Sequence, residues 1–141
     1  MSEPTVVVTD APAAEDVTAL SQGLGAYNVE QTGIRDYKPL AVLVKDAAGK
    51  TIGGISGRSS LGLLFLDLVY LPQTLRGGGL GSRLLAAAEQ EGRRRGCKAA
   101  VLYTISFQAP GFYERLGYRV FGRIPCDPPG TARVFMSKEL A

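Results

Sequence analysis

Residues 76–81 read Arg-Gly-Gly-Gly-Leu-Gly and join a nearly unbroken apolar run, residues 61–71, to a segment whose apolar residues have helical spacing. A strand that turns through glycines into a helix leaves the first N–H groups of that helix unpaired and directed outward. These donors, with the positive end of the helix dipole, suit a phosphate or diphosphate group. Because glycine has no Cβ, a ligand can approach the backbone closely. The turn therefore predicts an anion-binding site at the start of a helix.

Two common glycine motifs for nucleotide binding do not fit this turn. The phosphate-binding loop of nucleoside triphosphatases ends in Gly-Lys-Ser or Gly-Lys-Thr, and this turn contains no lysine. The dinucleotide motif Gly-x-Gly-x-x-Gly fails from either Gly77 or Gly79, because its last glycine would fall on Ser82 or Leu84. What remains is the pattern Arg-x-x-Gly-x-Gly at residues 76–81.

The composition predicts a single soluble domain spanning residues 1–141, because 45% of the residues are hydrophobic, enough for one core. There is no run of 18 apolar residues, so we expect no membrane span. The first residues lack the basic start and apolar stretch of a signal peptide, so a cytoplasmic location is the default.

Residue types that the chain lacks exclude several chemistries. There is no histidine, which excludes Ser-His-Asp triads and most zinc sites, and the spacing of Cys97 and Cys126 fits no metal motif. We therefore expect no metal. The net charge of +3 is spread along the chain, and its one dense cluster, residues 93–95, is most simply a solvated last helical turn. Nucleic-acid binders concentrate charge on one face, so we expect no nucleic-acid partner.

The pattern of β-branched, apolar and turn residues predicts the element order β-α-α-β-β-β-α-β-α-β-β. Hairpins and a strand-helix-strand crossover favour the α/β class, with a mixed sheet of about seven strands and helices on both faces. The predicted strands are residues 5–9, 39–45, 51–57, 61–71, 98–104, 118–123 and 132–137. The predicted helices are residues 13–24, 27–33, 79–95 and 110–116.

A second motif follows downstream, where residues 109–118 read Ala-Pro-Gly-Phe-Tyr-Glu-Arg-Leu-Gly-Tyr. Together the two motifs resemble the acetyl-CoA signature and the Ala-x-x-Phe-Tyr-Glu-Lys-Leu-Gly-Phe segment of the GNAT acetyltransferase superfamily, in the same order and at the same distance. The resemblance covers roughly residues 61–122. It implies a single-domain GNAT fold and an acetyl-CoA-dependent N-acetyltransferase that acts on a primary amine of a small molecule by direct transfer in a ternary complex. Dimers are common in the superfamily, so it also implies a homodimer.

The resemblance further implies where the coenzyme binds. In the family the two middle strands splay apart, and the pantetheine arm bonds to the backbone of the long strand's end. The residues this assigns to the arm are Val69, Tyr70 and Leu71, and those it assigns to the diphosphate are Arg76, Gly77, Gly78, Gly79, Leu80, Gly81 and Ser82. Arg76 either pairs with a phosphate or braces the loop. Ser106 stands where many members have an asparagine that bonds the arm, so that contact is absent here or made through water.

Tyr113 falls on the tyrosine that serves as general acid in many members of the family. A tyrosine hydroxyl titrates near ~10 and a thiol near ~8.5, so proton transfer to the departing thiolate is modestly uphill. The alternative from the residues alone is an aromatic side chain packed on a short amphipathic helix.

Asp67 is the only charged residue between Arg58 and Arg76. A carboxylate in an apolar strand is costly unless it is paired or faces a cleft. The two-residue period places it on one face with Phe65 and Val69. A raised pKa would suit a general base, and a structural acceptor for a neighbouring arginine is the alternative. Both stay open, because the family has no single fixed base.

The acceptor amine is less constrained. In the family the first helices shape its site, which here points to Tyr27, Asn28 and Gln31, and Tyr103 and Thr104 end the strand beside the cleft. The alternative for the first three is a plain surface position, and the alternative for Tyr103 and Thr104 is that they cap the strand. A rival function is a non-catalytic acyl-CoA-binding sensor or regulatory module on the same fold, which would need neither Tyr113 nor Asp67.

Overall fold

The computed structural model describes residues 2–141, which divide after residue 35 into two units. In the first unit, helix α1 (Ala14–Thr32) ends at Gly33, whose φ of 71° is left-handed. The predicted strand at residues 5–9 is wrong, because within residues 2–141 that segment pairs with no strand that would satisfy its backbone groups. The predicted break between two helices is also wrong. Gly23 and Gly25 each cost only about 1 kcal/mol in a helix, which a long helix can absorb.

The second unit is a six-stranded sheet with two helices and a short 3-10 turn, Gln73–Leu75. Its elements are β1 (Lys38–Lys45), β2 (Thr51–Ser60), β3 (Leu63–Tyr70), α2 (Leu80–Arg94), β4 (Ala99–Ile105), α3 (Pro110–Arg115), β5 (Arg119–Cys126) and β6 (Thr131–Glu139). The strand order is β1-β2-β3-β4-β6-β5, and only β3 and β4 are parallel. The mixed α/β class is therefore confirmed, with six strands instead of about seven. Of the helices in residues 2–141, none is long and apolar enough to cross a membrane.

The long apolar run is not one strand from its first residue. Leu61 and Gly62 form a two-residue hairpin turn between β2 and β3, with φ values of 50° and 84°. Tight hairpins favour positive φ at both central positions because that twist matches the flanking strands. The Leu61 N–H donates to the Asp36 carboxylate at 3.1 Å, which holds the turn in place.

The parallel pair β3 and β4 separates part-way along its length. Pairing runs from Leu63 opposite Ala99 to Leu66 opposite Leu102, and ends there. Beyond this point β3 stays paired with β2, and β4 stays paired with β6 as far as Ile105. The two strands therefore open into a V in which their facing edges no longer pair with each other, as the family resemblance implied.

Helix α2 packs its apolar face on the sheet. Leu84, Leu85 and Ala88 are buried with core residues of the strands, including Leu64 and Leu102. At the end of the helix, Arg95 donates to the carbonyl groups of Lys38 and Pro39 and to the Ser59 hydroxyl, all at 3.1 Å. The basic cluster at residues 93–95 is thus not simply solvated, because Arg95 ties the helix end to β1 and β2.

Candidate active site

A cavity of about 580 Å³ lies in the second unit where β3, the glycine turn, the start of α2 and helix α3 meet. It occupies the open side of the V between β3 and β4. Eight of the residues predicted to bind the coenzyme line it, together with Tyr113: Val69, Tyr70, Leu71, Arg76, Gly77, Gly79, Gly81 and Ser82. The structure therefore brings the two sequence motifs together at one cavity.

The glycine turn presents free backbone donors to this cavity. Gly79 precedes α2 with a φ of 80°, and the first helical hydrogen bond runs from the Arg83 N–H to the Gly79 carbonyl at 3.1 Å. The N–H groups of residues 80–82 consequently have no acceptor within the helix. A Cβ placed on Gly77 or Gly79 would meet no atom within 4 Å, so the space beside the turn is open. This geometry fits a diphosphate group.

Two arginine side chains also line this cavity, Arg76 and Arg115. Arg76 Nε donates to the Leu71 carbonyl at 2.9 Å, so this side chain braces the turn against the end of β3. Arg115 lines the cavity from α3. Guanidinium groups suit phosphate oxygens in both charge and geometry. The cavity thus combines neutral backbone donors with positive charge.

Gly81 also lets the two helices pack closely. A Cβ at this position would lie 3.1 Å from Cζ of Phe112, which is tighter than ordinary van der Waals contact. Phe112 lines the cavity and packs against the core. The last glycine of the turn is therefore needed for the contact between α2 and α3.

Tyr113 is both a packed aromatic residue and part of the cavity wall. Its ring meets Phe112 and Tyr118 edge-on, with centroids 5.2 and 5.9 Å apart. Burial raises the pKa of the Tyr113 hydroxyl above its ordinary value. The side chain therefore keeps its proton near neutral pH, as a general acid must.

A buried polar cluster lies behind Tyr113. The Glu89 carboxylate accepts a hydrogen bond from the Tyr118 hydroxyl at 2.9 Å and one from Lys138 Nζ at 2.8 Å. Glu89 is only 5% exposed, and Tyr118 only 1%. Burial is the largest cause that raises the pKa of Tyr118, and the Glu89 carboxylate adds to it. We missed Glu89 in the sequence, although it stands on the apolar stripe of α2, where a carboxylate is out of place.

The two buried tyrosines predict a loss of stability in alkali. The pKa of each is raised in the folded state, whereas the unfolded chain releases these protons from about pH 10. The two tyrosines therefore contribute their full stabilisation below about pH 10. Above that pH the free energy of unfolding falls, by up to about 1.4 kcal/mol per pH unit for each tyrosine. Urea unfolding across this range should show a shallower fall for Tyr118→Phe than for the wild type. Equal slopes would contradict this prediction.

Three residues predicted to bind the coenzyme are not part of the cavity lining formed by the described residues. They are Gly78, Leu80 and Ser106. The Ser106 side chain is engaged elsewhere, because its hydroxyl accepts from the Ala132 N–H at 3.0 Å. Ser106 thus fastens the end of β4 to β6, and the expectation that its contact with the arm is absent or made through water stays a prediction.

The Asp67 side chain is more exposed than its apolar neighbours suggest, and it does not share a face with Val69. Its side chain is 46% exposed and pairs with Arg58, whose guanidinium also lies over the Phe65 ring at 4.5 Å. Asp67 is the extra residue of a β-bulge, since Leu66 pairs with Gly57 while Leu68 pairs with Ser56. The bulge breaks the two-residue period, so Val69 lines the cavity and Asp67 does not.

This placement favours the ion-pair alternative for Asp67. We expect Asp67→Asn to keep kcat/KM within about threefold of the wild type, because half-exposed pairs contribute little. Steady-state kinetics would measure this with any accepted amine. Removal of a true general base would cost about 100-fold or more, and a loss of that size would restore the catalytic hypothesis.

The comparison with known proteins agrees with this geometry. The profile described as the Acetyltransferase (GNAT) family matches residues 14–118. The chain belongs to the GNAT family. An acetyltransferase of Agrobacterium fabrum is 34% identical to it over 132 residues, covering 94% of this chain and 96% of that protein. Blasticidin-S acetyltransferase of Streptomyces morookaense is 40% identical over 116 residues, covering 79% of this chain and 85% of that protein.

Solved structures show the same fold. A crystal structure from Agrobacterium tumefaciens, of a protein assigned to the acetyltransferases, has a TM-score of 0.87 and 31% identity, covering 96% of this chain and 99% of that one. An acetyltransferase from Bacillus cereus has a TM-score of 0.76 and 26% identity, covering 94% and 97%. The prediction of an acyltransferase enzyme of the GNAT type is therefore confirmed.

The residues of this GNAT acetyltransferase that were predicted to bind the acceptor amine lie in both units of the chain. Tyr103 is half exposed, and its ring lies 5.7 Å from that of Phe135, with the Arg133 guanidinium 5.6 Å from its centroid. It does not line the cavity, although its neighbour Thr104 does. Tyr27, Asn28 and Gln31 lie on α1 in the first unit. A role for these three in acceptor binding stays a prediction.

Five cavity residues of this GNAT acetyltransferase were not among the predicted site residues: Gln108, Ala109, Phe112, Arg115 and Leu116. Arg115 had a readable signal, because it is a second arginine on the motif that carries Tyr113. Gln108 had none, since its position depends on how the loop after β4 folds back. Among residues 2–141, no group of three or more His, Cys, Asp or Glu side chains is placed to hold a metal ion.

Proposed function

We propose that this GNAT acetyltransferase transfers the acetyl group of acetyl-CoA to a primary amine of a small molecule, directly and within a ternary complex. The observation that carries the proposal is that one cavity is lined both by the glycine turn and by buried Tyr113. A small-molecule acceptor is supported by the 40% identity to a blasticidin-S acetyltransferase. We also propose a homodimer, because dimers are common in the superfamily. The cytoplasmic location and the lack of a nucleic-acid or membrane partner stay predictions from the sequence.

Different groups of the chain bind the diphosphate and the pantetheine arm of the coenzyme. The free N–H groups of residues 80–82 and the guanidinium groups of Arg76 and Arg115 hold the diphosphate. The open edge of β3 at Val69 and Tyr70, with Leu71 directly after it, offers backbone donors and acceptors to the amides of the pantetheine arm. When bound, acetyl-CoA supplies the activated acyl group.

Tyr113 gives its proton to the sulfur that leaves. A buried tyrosine holds its proton more firmly than one in water, which makes this transfer more uphill. The same burial acts on a thiolate placed beside it and raises the pKa of that thiol. Because the tyrosine hydroxyl and the thiolate are desolvated together, the difference between their pKa values stays modest.

An amine panel tests this function. Purified protein with acetyl-CoA is given blasticidin S, simple aliphatic diamines and a lysine-containing peptide, and free thiol is followed over time. We expect thiol release with at least one small amine, and mass spectrometry should find that amine acetylated. Acetyl-CoA binding with no turnover on any amine would favour the non-catalytic alternative, and turnover on the peptide alone would contradict the small-molecule acceptor.

A further inference from the structure

We propose that Gln108 donates a hydrogen bond from its side-chain amide to the pantetheine arm of the coenzyme, the contact that Ser106 is not placed to make. The inference rests on the proposed function and adds a binding residue to it. Gln108 lines the cavity, and Ser106 does not.

Ser106 is held by β6 through its N–H group and its hydroxyl. Its N–H donates to the Ala132 carbonyl at 2.8 Å, and its hydroxyl accepts from the Ala132 N–H at 3.0 Å. These two bonds continue the ladder between β4 and β6 by one residue. Turning the hydroxyl toward the cavity would leave the Ala132 N–H without its acceptor, which is costly.

The amide of Gln108 is fixed by its oxygen. Oε1 accepts from the Ile105 N–H at 2.8 Å and from the Thr104 hydroxyl at 3.0 Å. A backbone N–H can only donate, so the oxygen of the amide must face it, and this decides which way the amide is turned. Within residues 2–141 the Nε2 group has no acceptor, so its two hydrogens remain available.

The fixed amide stands on the edge of β4 that faces the V. Because the Ser106 N–H points to β6, the N–H of Ile105 points the opposite way, toward β3, by the alternation of a strand. Gln108 therefore covers the edge of β4 where its pairing with β3 has ended. A chain of amides lying in the V would meet the open backbone of β3 on one side and Gln108 Nε2 on the other.

The backbone at Ala109, directly after Gln108, has an unusual conformation. Ala109 has a φ of 140°, which an L-residue rarely adopts, and it also lines the cavity. Such strain persists only where the surrounding structure holds it, and it concentrates at functional sites. The Gln108 N–H donates to the Ile105 carbonyl at 2.7 Å, which closes the turn that folds the side chain back on β4.

Calorimetric titration with two ligands tests this assignment. Acetyl-CoA has the diphosphate and the arm, whereas ADP has a diphosphate and no arm. Gln108→Glu keeps the oxygen that accepts from Ile105 but removes the donors, and Gln108→Met removes both without adding charge. Ser106→Ala is the matched control. We expect both Gln108 variants to raise the Kd for acetyl-CoA by about five- to tenfold, with the Kd for ADP within about twofold and both Kd values unchanged in Ser106→Ala.

Each other outcome overturns the assignment. An unchanged Kd for acetyl-CoA in either Gln108 variant means that the donors are not used. An equal loss for both ligands means a general defect of the cavity, and a loss in Ser106→Ala places the arm at that residue instead. Failure of the wild type to bind acetyl-CoA would instead refute the proposed function itself, so the two failures are distinguishable.

Discussion

Replacing Tyr113 with phenylalanine should lower kcat by about 100-fold or more while leaving the Kd for acetyl-CoA within about twofold. General acids contribute about 100- to 10,000-fold to a rate. Only the hydroxyl is removed, so the ring contacts with Phe112 and Tyr118 remain. The measurement is steady-state kinetics with an accepted amine, paired with calorimetry for acetyl-CoA binding.

Tyr118→Phe is the matched control for this experiment. Tyr118 is also a buried tyrosine beside the site, but its hydroxyl is directed to Glu89. We expect it to keep kcat within about threefold, because its hydroxyl is committed to structure. If Tyr113→Phe retained kcat, or if both variants lost it equally, Tyr113 would not be the general acid.

Replacing Glu89 with alanine should lower the free energy of unfolding by about 3 kcal/mol. Removing one member of a buried pair leaves the other without compensation, which typically costs 3–5 kcal/mol. Here Lys138 would lose its partner, and the buried Tyr118 hydroxyl would lose its acceptor. The lower end of the range applies because the Lys138 side chain is partly exposed. Urea unfolding near neutral pH measures the change.

Two further variants separate the contribution of the buried pair to stability from that of helix α2, which carries Glu89. Glu89→Gln keeps an acceptor for Tyr118 and should cost less than alanine. Gln90→Ala changes the next residue of α2, which is exposed, and should shift stability by less than about 0.5 kcal/mol. A loss in Glu89→Ala no larger than that in Gln90→Ala would show that the cluster is not stabilising.

Local patterns were enough to predict the main elements of the second unit and the glycine turn at the cavity, whereas the candidate role of Tyr113 came from the family resemblance. The glycine turn followed by helical spacing predicts α2 at Leu80–Arg94 within a residue or two, because the signal is contained in consecutive residues. The same is true of the hairpin between β1 and β2. The cavity lining at the turn follows from this geometry, since a helix start exposes donors whatever it packs against.

Features that depend on distant partners could not be predicted this way. Residues 5–9 have β-forming side chains, but a strand also needs an edge to pair with. The bulge at Asp67 reverses which side chains face the cavity, and nothing in the local pattern marks it. Ser106 and Glu89 are set by Ala132 and Lys138, which lie 26 and 49 residues away in the chain.

A crystal structure of the protein with acetyl-CoA tests the central claim most directly. We expect the diphosphate to lie on the backbone N–H groups at the start of α2, the arm to run between the splayed ends of β3 and β4, and the sulfur to lie within hydrogen-bonding reach of the Tyr113 hydroxyl. A coenzyme bound with its diphosphate away from residues 76–82, or with its sulfur far from Tyr113, would contradict this account.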